Sequence, residues 1–346
     1  MKVFGLGIGT SALCPQSVFA SEHFVRKRYP AIKPIIGSWF EFRHNNSAEG
    51  KYWNETLKNF TEENWKEKIR EISEAGLEYL VLMGVAGDDE AFYKSNFLKS
   101  ADYKCQDPLE AVLSAADEYG IKFFVGNDFY GDWRQARQMM TDKNVAILRE
   151  KGMQEVAERY GHHKSFYGWY FPNESGLFDN IDDMTIEYVN HCSQIARQLI
   201  PESTNIIAPY GTNMIRTDDE YVRRLEKIDI DIIAYQDEIG VRKTKVGEAG
   251  KYFEGLYKAH AKAGRARLWA DIELFEFEDV FYKSALIPAS FERVLQQIED
   301  ISPFVEHILV YQYQGMMNKP GSKAFAGHPD STKFYTDYME WYHNRL

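Results

Sequence analysis

The run Trp169-Tyr170-Phe171-Pro172-Asn173-Glu174 reads as a buried β-strand that delivers an adjacent Asn–Glu pair at its end. Further along, Leu268-Trp269-Ala270-Asp271-Ile272-Glu273 is a second strand-like run, and it too ends on a glutamate. Two carboxyl groups facing each other across a bond are what glycoside cleavage requires. One donates a proton to the leaving oxygen while the other attacks or stabilises the sugar cation. The expectation is that Glu174 and Glu273 meet across one pocket, about 5–5.5 Å apart for retention of configuration or about 6.5–9.5 Å for inversion. A structural reading stands beside the chemical one, since a strand-terminal acid can cap the next helix or pair with an arginine.

Strand ends are brought to a common mouth by a barrel, and the rest of the chain has the matching pattern. A helical stretch, a glycine stop and an apolar run recur at Glu74-Ala75-Gly76, Glu118-Tyr119-Gly120, Arg159-Tyr160-Gly161 and Lys262-Ala263-Gly264. Each glycine is expected in the left-handed conformation just past a helix. Asp107-Pro108-Leu109-Glu110 has the composition of a helix start. Strands are predicted near 32–41, 77–84, 121–128, 166–174, 205–210, 229–237, 266–273 and 306–314, with helices between them and further helices near 134–160 and 330–345. Alternating β and α elements imply a parallel sheet, and eight units imply a closed α/β (β/α)8 TIM barrel as a single domain over residues 21–346.

Alternation along each strand predicts which side chains point inward. On the fourth strand these are Gly168, Tyr170 and Glu174; on the seventh, Trp269, Asp271 and Glu273. On the sixth, Ile230, Ile232 and Ala234 are read as facing helices, which leaves Asp231, Ile233, Tyr235 and Asp237 inward. Asp237 is read equally well as a structural cap.

Composition narrows the partners. A net charge of −11 argues against nucleic acid or an anionic membrane surface. Aromatic residues make up 15% of the chain, which suits either an aromatic-rich core or a cleft with flat platforms for the C–H faces of sugars. Cys14, Cys105 and Cys192 are scattered without metal-ligand or disulfide spacing, and no Gly-x-Gly-x-x-Gly follows an early strand. No metal or cofactor is expected, and no apolar run reaches the ~20 residues of a membrane span. At the start, Lys2, an apolar stretch from Val3 to Leu13 and the tail Ser17-Val18-Phe19-Ala20 read as a signal peptide over residues 1–20. An exported protein, periplasmic or secreted, is the expectation; a loosely packed N-terminal arm is the alternative.

Several of these runs carry a resemblance. Asn173-Glu174 and Glu273 resemble the acid/base and nucleophile of clan A glycoside hydrolases. Gly168 to Glu174, Tyr235-Gln236-Asp237-Glu238-Ile239-Gly240-Val241 and Leu268 to Glu276 further resemble the glycosidase-like barrels of domain of unknown function 4434. The likeness spans most of residues 30 to 345, and Gly37-Ser38-Trp39-Phe40-Glu41 matches it loosely. It implies a carbohydrate substrate, with Glu174 as general acid/base, Glu273 as nucleophile and Asn173 on a hydroxyl beside the anomeric carbon. It also implies sugar contacts from Gln236, Asp237, Asp271, Asn127, Asp128 and Glu41. Trp39, Trp133, Tyr210, Tyr235, Tyr311 and Tyr313 are the candidate platforms, each equally readable as core. Two rivals remain: an inverting hydrolase with Asp237 or Glu238 as base, and a carbohydrate-binding barrel without turnover.

Overall fold

The computed structural model describes residues 32–345 except 173 and 175. The expected signal over residues 1–20, Cys14 and Asn173 lie outside the described residues. Eight parallel strands close into a barrel in chain order: β1 Ile35–Phe40, β2 Tyr79–Leu82, β3 Lys122–Gly126, β4 Phe166–Tyr170, β5 Thr204–Ile207, β6 Ile232–Gln236, β7 Arg267–Glu273 and β8 Ile308–Tyr311. A long helix follows each: α1 Glu62–Glu74, α2 Pro108–Tyr119, α3 Lys143–Tyr160, α4 Asp183–Leu199, α5 Asp219–Lys227, α6 Ala249–Ala263, α7 Phe291–Ile301 and α8 Ser331–His343. All eight expected strands are present.

Local chemistry marks the helix ends. Thr61 and Asn64 form a reciprocal cap on α1, Pro108 opens α2 behind Asp107, and Asp142, Asp182, Asp218 and Ser290 accept from first-turn amides. Gly120 and Gly264 close α2 and α6 in the left-handed region, with φ of 72° and 64°. Gly161 does not follow this pattern: α3 ends there at φ −63°. His163 is buried between Asp117 (2.8 Å) and Glu110 (3.3 Å).

Two hydrophobic layers result. One lies between strands and helices; the other fills the barrel with Trp39, Tyr79, Val81, Phe124, Tyr170, Ile206, Ile232, Ala234, Trp269 and Leu309. Trp39 meets Tyr170 edge-on at 5.8 Å. Expected as a sugar platform, Trp39 is instead a packed plug of the barrel interior. The closure is tight: a Cβ at Gly168 would stand 1.5 Å from the Thr204 carbonyl oxygen, so β4 and β5 come together only through glycine.

Register decides which side chains face inward. Trp269 pairs with Ala234, Ala270 with Tyr235 and Asp271 with Gln236, and parallel partners in register point the same way. The inner face of β6 is therefore Ile232, Ala234 and Gln236. The expected set of Ile233, Tyr235 and Asp237 points outward. A strand buried on both faces is apolar on both, so composition alone does not reveal its parity. Among the described residues no helix is long and apolar enough to cross a membrane.

Candidate active site

Beyond the C-terminal ends of the strands lies a cavity of about 450 Å³, within the ~300–1,000 Å³ range of small-molecule sites. Seven expected residues line it: Glu174, Tyr210, Gln236, Asp271, Glu273, Tyr311 and Trp133. Glu174 leaves the end of β4 and Glu273 ends β7, so the two glutamates open onto the same space. Tyr210 is steadied by the Lys243 ammonium, 4.5 Å above its ring.

The β6–α6 loop and α7 hold Glu273 in place. Its Oε2 accepts from the Val241 amide at 2.8 Å. A Cβ on Gly240 would meet that same oxygen at 2.9 Å, so the loop backbone approaches the carboxylate as only glycine allows. The Glu273 amide donates to Asp237 Oδ1 (3.1 Å), and its carbonyl accepts from Arg293 (2.7 Å) and Gln297 (3.3 Å) of α7. Glu238 braces the neighbouring loop by accepting from the Gly211 and Thr212 amides at 2.8 and 2.9 Å and pairing with Lys243.

Burial raises all four acids of the site. Burial pushes the Glu174 carboxyl up to about 7, against the pull of Gln236 and Lys243. Burial and then the Asp237 charge hold Glu273 well above the ordinary carboxylate range, opposed by the Val241 amide and Arg293. Asp237 is raised to about 6 by burial, against the hydrogen bonds from Gln297 and the Glu273 amide. Burial and the neighbouring acids raise Asp271 well above its usual value.

Several expected contacts lie elsewhere. Asp237 is 1% exposed and spends Oδ2 on Gln297 (2.5 Å) behind β6. It does not line the cavity and occupies the place of the structural cap; Glu238 is likewise buried in its loop. Tyr235 packs outward against Tyr221 and His260. Tyr313 is buried in the outer layer, edge-on to Tyr335. Asn127 faces Met153, and Asp128 is ion-paired to Arg149 of α3 at 2.5 Å. None of these lines the cavity: Tyr235 and Asp237 by outward parity, Asn127, Asp128 and Tyr313 because they lie past the ends of their strands.

Glu41 sits one layer behind the wall. It accepts from Trp53 Nε1 (2.8 Å) and Gln312 (2.7 Å), and lies 3.2 Å from His44 Nδ1. His44 lines the cavity, reaches Glu49 at 3.0 Å through Nε2 and stands 2.9 Å from the Tyr311 hydroxyl. The sequence reading missed His44, Asn46 and Glu49. A run of polar residues straight after the Glu41 strand end was the available signal. Tyr282 was also missed; it arrives on an antiparallel hairpin, Phe275–Phe277 with Leu286–Pro288, inserted between β7 and α7.

With this geometry in hand, comparison with known proteins is informative. The family model described as "Domain of unknown function (DUF4434)" matches residues 35–324. No curated protein sequence matches. Among solved structures, a Bacteroides thetaiotaomicron VPI-5482 protein provisionally assigned as an alpha-L-fucosidase aligns at TM-score 0.68 and 16% identity, over 96% of this chain and 99% of that one. The endo-1,4-beta-mannanase of Rhizomucor miehei aligns at TM-score 0.55 and 12% identity, over 90% and 95%. The beta-galactosidase of Marinomonas ef1 aligns at 0.56 and 11%, over 89% and 59%. At these identities the shared property is the barrel fold.

The Glu41–His44 pair ties stability to pH. Burial opposes the Glu41 charge, but His44, Gln312 and Trp53 outweigh it and hold the carboxyl below its ordinary 4.5. Its contribution is present above that value and fades as pH falls through the folded one. Burial likewise opposes the His44 charge, yet Glu41 and Glu49 raise it from 6.5 to about 10. That contribution is complete below pH 6.5 and is lost as pH climbs toward 10. Glu41→Gln is expected to cost about 3 kcal/mol near pH 6, the scale for breaking a buried pair, and progressively less toward pH 10. Urea unfolding of both proteins across that range checks it, and a deficit independent of pH would refute the ion pair as its source.

Proposed function

This chain belongs to the DUF4434 family, and on that footing we propose that it is an exported glycoside hydrolase. It cleaves a poly- or oligosaccharide with retention of anomeric configuration. The observation that carries the reading is the pair Glu174 and Glu273, presented from β4 and β7 into one cavity in unlike surroundings. The glycosidases among the barrels of similar fold are consistent with it.

Glu174, with a carboxyl near 7, keeps a proton to give to the glycosidic oxygen as the bond breaks. Glu273 attacks the anomeric carbon from the other side, its carboxylate aimed by the Val241 amide. Glu174, now ionised, takes a proton from water, and the hydroxide released at the sugar cleaves the glycosyl ester and regenerates Glu273. Tyr210, Tyr311 and Trp133 supply ring faces to the sugar, and Gln236 supplies an amide. Asn173, beside Glu174 in sequence, belongs to the same proposal through the family resemblance.

Glu273→Gln should abolish turnover with little change in melting temperature, because shape is kept and only the attacking charge is removed. Glu174→Gln should slow substrates with poor leaving groups by about 10²–10⁴-fold, spare activated aryl glycosides at the first step, and regain rate when azide is added. Hydrolysis of a 4-nitrophenyl glycoside panel and of oligosaccharides by both variants reads this out. Unchanged rates in both would leave a carbohydrate-binding barrel as the better reading.

The pH profile separates the two acids. Activity that needs the Glu174 proton falls as pH rises through about 7. That limb should vanish in Glu174→Gln acting on an aryl glycoside. Asp237 raises Glu273, so Asp237→Asn should move the Glu273 limb to lower pH. Profiles of kcat/KM for the three proteins are the check, and a limb near 7 that survives in Glu174→Gln would sink the assignment.

Export rests on Lys2, the apolar stretch and Val18-Phe19-Ala20. Mature protein from the native host should begin near Ser21. Recovery of an intact Met1 by N-terminal sequencing would rule this out.

A further inference from the structure

The inner face of β7 carries Trp269, Asp271 and Glu273 in succession. Trp269 belongs to the packed interior and Glu273 to the cavity wall. Asp271, between them, lines the cavity floor while only 3% exposed. Its Oδ1 is buried and has no hydrogen-bond partner among the described residues. Among the described residues no group donates to that oxygen, and no cation acts on it. From β6, Gln236 gives its amide to the Ala208 carbonyl (3.0 Å) and leans on Glu174; from β8, the register partner is Leu309. The charged neighbours that act on it are Glu273 on its own strand, Asp237 after β6 and Glu174 after β4, all acids. Tyr170 of β4, the other polar group beside it, carries a hydroxyl that is itself buried without a hydrogen-bond partner. Arg293 reaches only the carbonyls of Glu273 and Phe275, not this floor.

A buried carboxylate with no bonded donor and no counterion among the described residues, beside three other acids, has little to offset its lost hydration. A carboxylic acid in the same place is tolerated, and it turns the unpartnered group into an O–H donor facing the ligand space. We propose that Asp271 serves this pocket as a neutral carboxylic acid that donates a hydrogen bond to an oxygen of the bound sugar. It thereby holds the substrate from below without adding negative charge beneath the anomeric carbon. The identity of the ligand as a sugar rests on the glycosidase reading; the protonation of Asp271 does not. The direction of its titration agrees with the geometry, since burial followed by Glu273, Asp237 and Glu174 favours the protonated form.

The test pairs Asp271→Asn, which keeps shape and an N–H donor, with Asp271→Leu, which keeps bulk alone. An infrared difference spectrum of wild type minus Asp271→Asn at pH 8, where Glu174 is largely ionised, should contain the band of one protonated carboxyl. On whichever 4-nitrophenyl glycoside the wild type hydrolyses, Asp271→Asn should keep kcat/KM within about threefold, and Asp271→Leu should lose about 10–100-fold, the scale of a buried polar group left unpaired. Absence of the band overturns the proposal, because the group is then ionised. Loss of about 10³-fold or more in Asp271→Asn at unchanged melting temperature also overturns it, because Asp271 then acts as an anion. If the wild type hydrolyses no glycoside, the glycosidase reading fails. The band, with calorimetric binding of deoxynojirimycin and its manno-, galacto- and fuco-configured relatives to all three proteins, still decides the role of Asp271. Equal binding by wild type and Asp271→Leu would reject it.

Discussion

The in-register pairing of parallel strands around a closed barrel is the constraint on which this site depends. Once β7 pairs Trp269 with Ala234 and Asp271 with Gln236, the inward side of both strands is settled together. Closure passes the same condition through β8, where Glu273 pairs with Tyr311. The side chains that reach the mouth are thus chosen by the sheet before any loop is considered. Glu273, Asp271, Gln236 and Tyr311 converge because they share one parity.

Loops then tune what the barrel has placed. The segment after β6 gives Asp237 to the Glu273 amide, Gly240 as close backbone and the Val241 amide to the carboxylate. Helix α7 completes the mount through Arg293 and Gln297. A carboxylate held by backbone groups and a buried neighbour loses little motional freedom when a ligand arrives, which is the condition for oriented attack. Glu174 is approached instead by side chains, Gln236 and Tyr170, with Lys243 nearby, and its carboxyl is raised by burial above all. Both carboxyls are raised by burial first, so the difference between them lies in what holds each one: backbone amide and α7 for Glu273, side chains for Glu174.

Much of this was legible in the chain. Alternating elements with glycine and Asp-Pro punctuation specify the eight-stranded barrel, and the two strand-terminal glutamates mark its mouth. Parity was legible where one face was visibly distinct, as on β7 with Trp269, Asp271 and Glu273. It failed on β6, where Ile232, Ile233, Ala234 and Tyr235 are all buried and hydrophobicity cannot distinguish barrel interior from helix layer. Tyr235 and Asp237 were misplaced for that single reason, and Gln236, which lines the cavity, was named on resemblance alone. His44, Glu49 and Tyr282 were missed because loop residues enter the cavity through tertiary contacts that no periodicity encodes. The Glu41 network is similar: a strand-end acid was visible, but not the histidine that it holds charged.

The hairpin between β7 and α7 separates two jobs that one polypeptide must do. It is stitched to the loop after β1, with the Leu286 amide on the Glu49 carbonyl (3.1 Å) and Lys51 on Glu278 (2.9 Å). Phe275, Tyr282 and Leu286 from it close one side of the cavity. Part of the wall that a ligand would meet is therefore carried by a short excursion, while the acids beneath it are held by strands and by α7. A change in the length or tip of that excursion would reshape the wall without replacing a residue of the barrel.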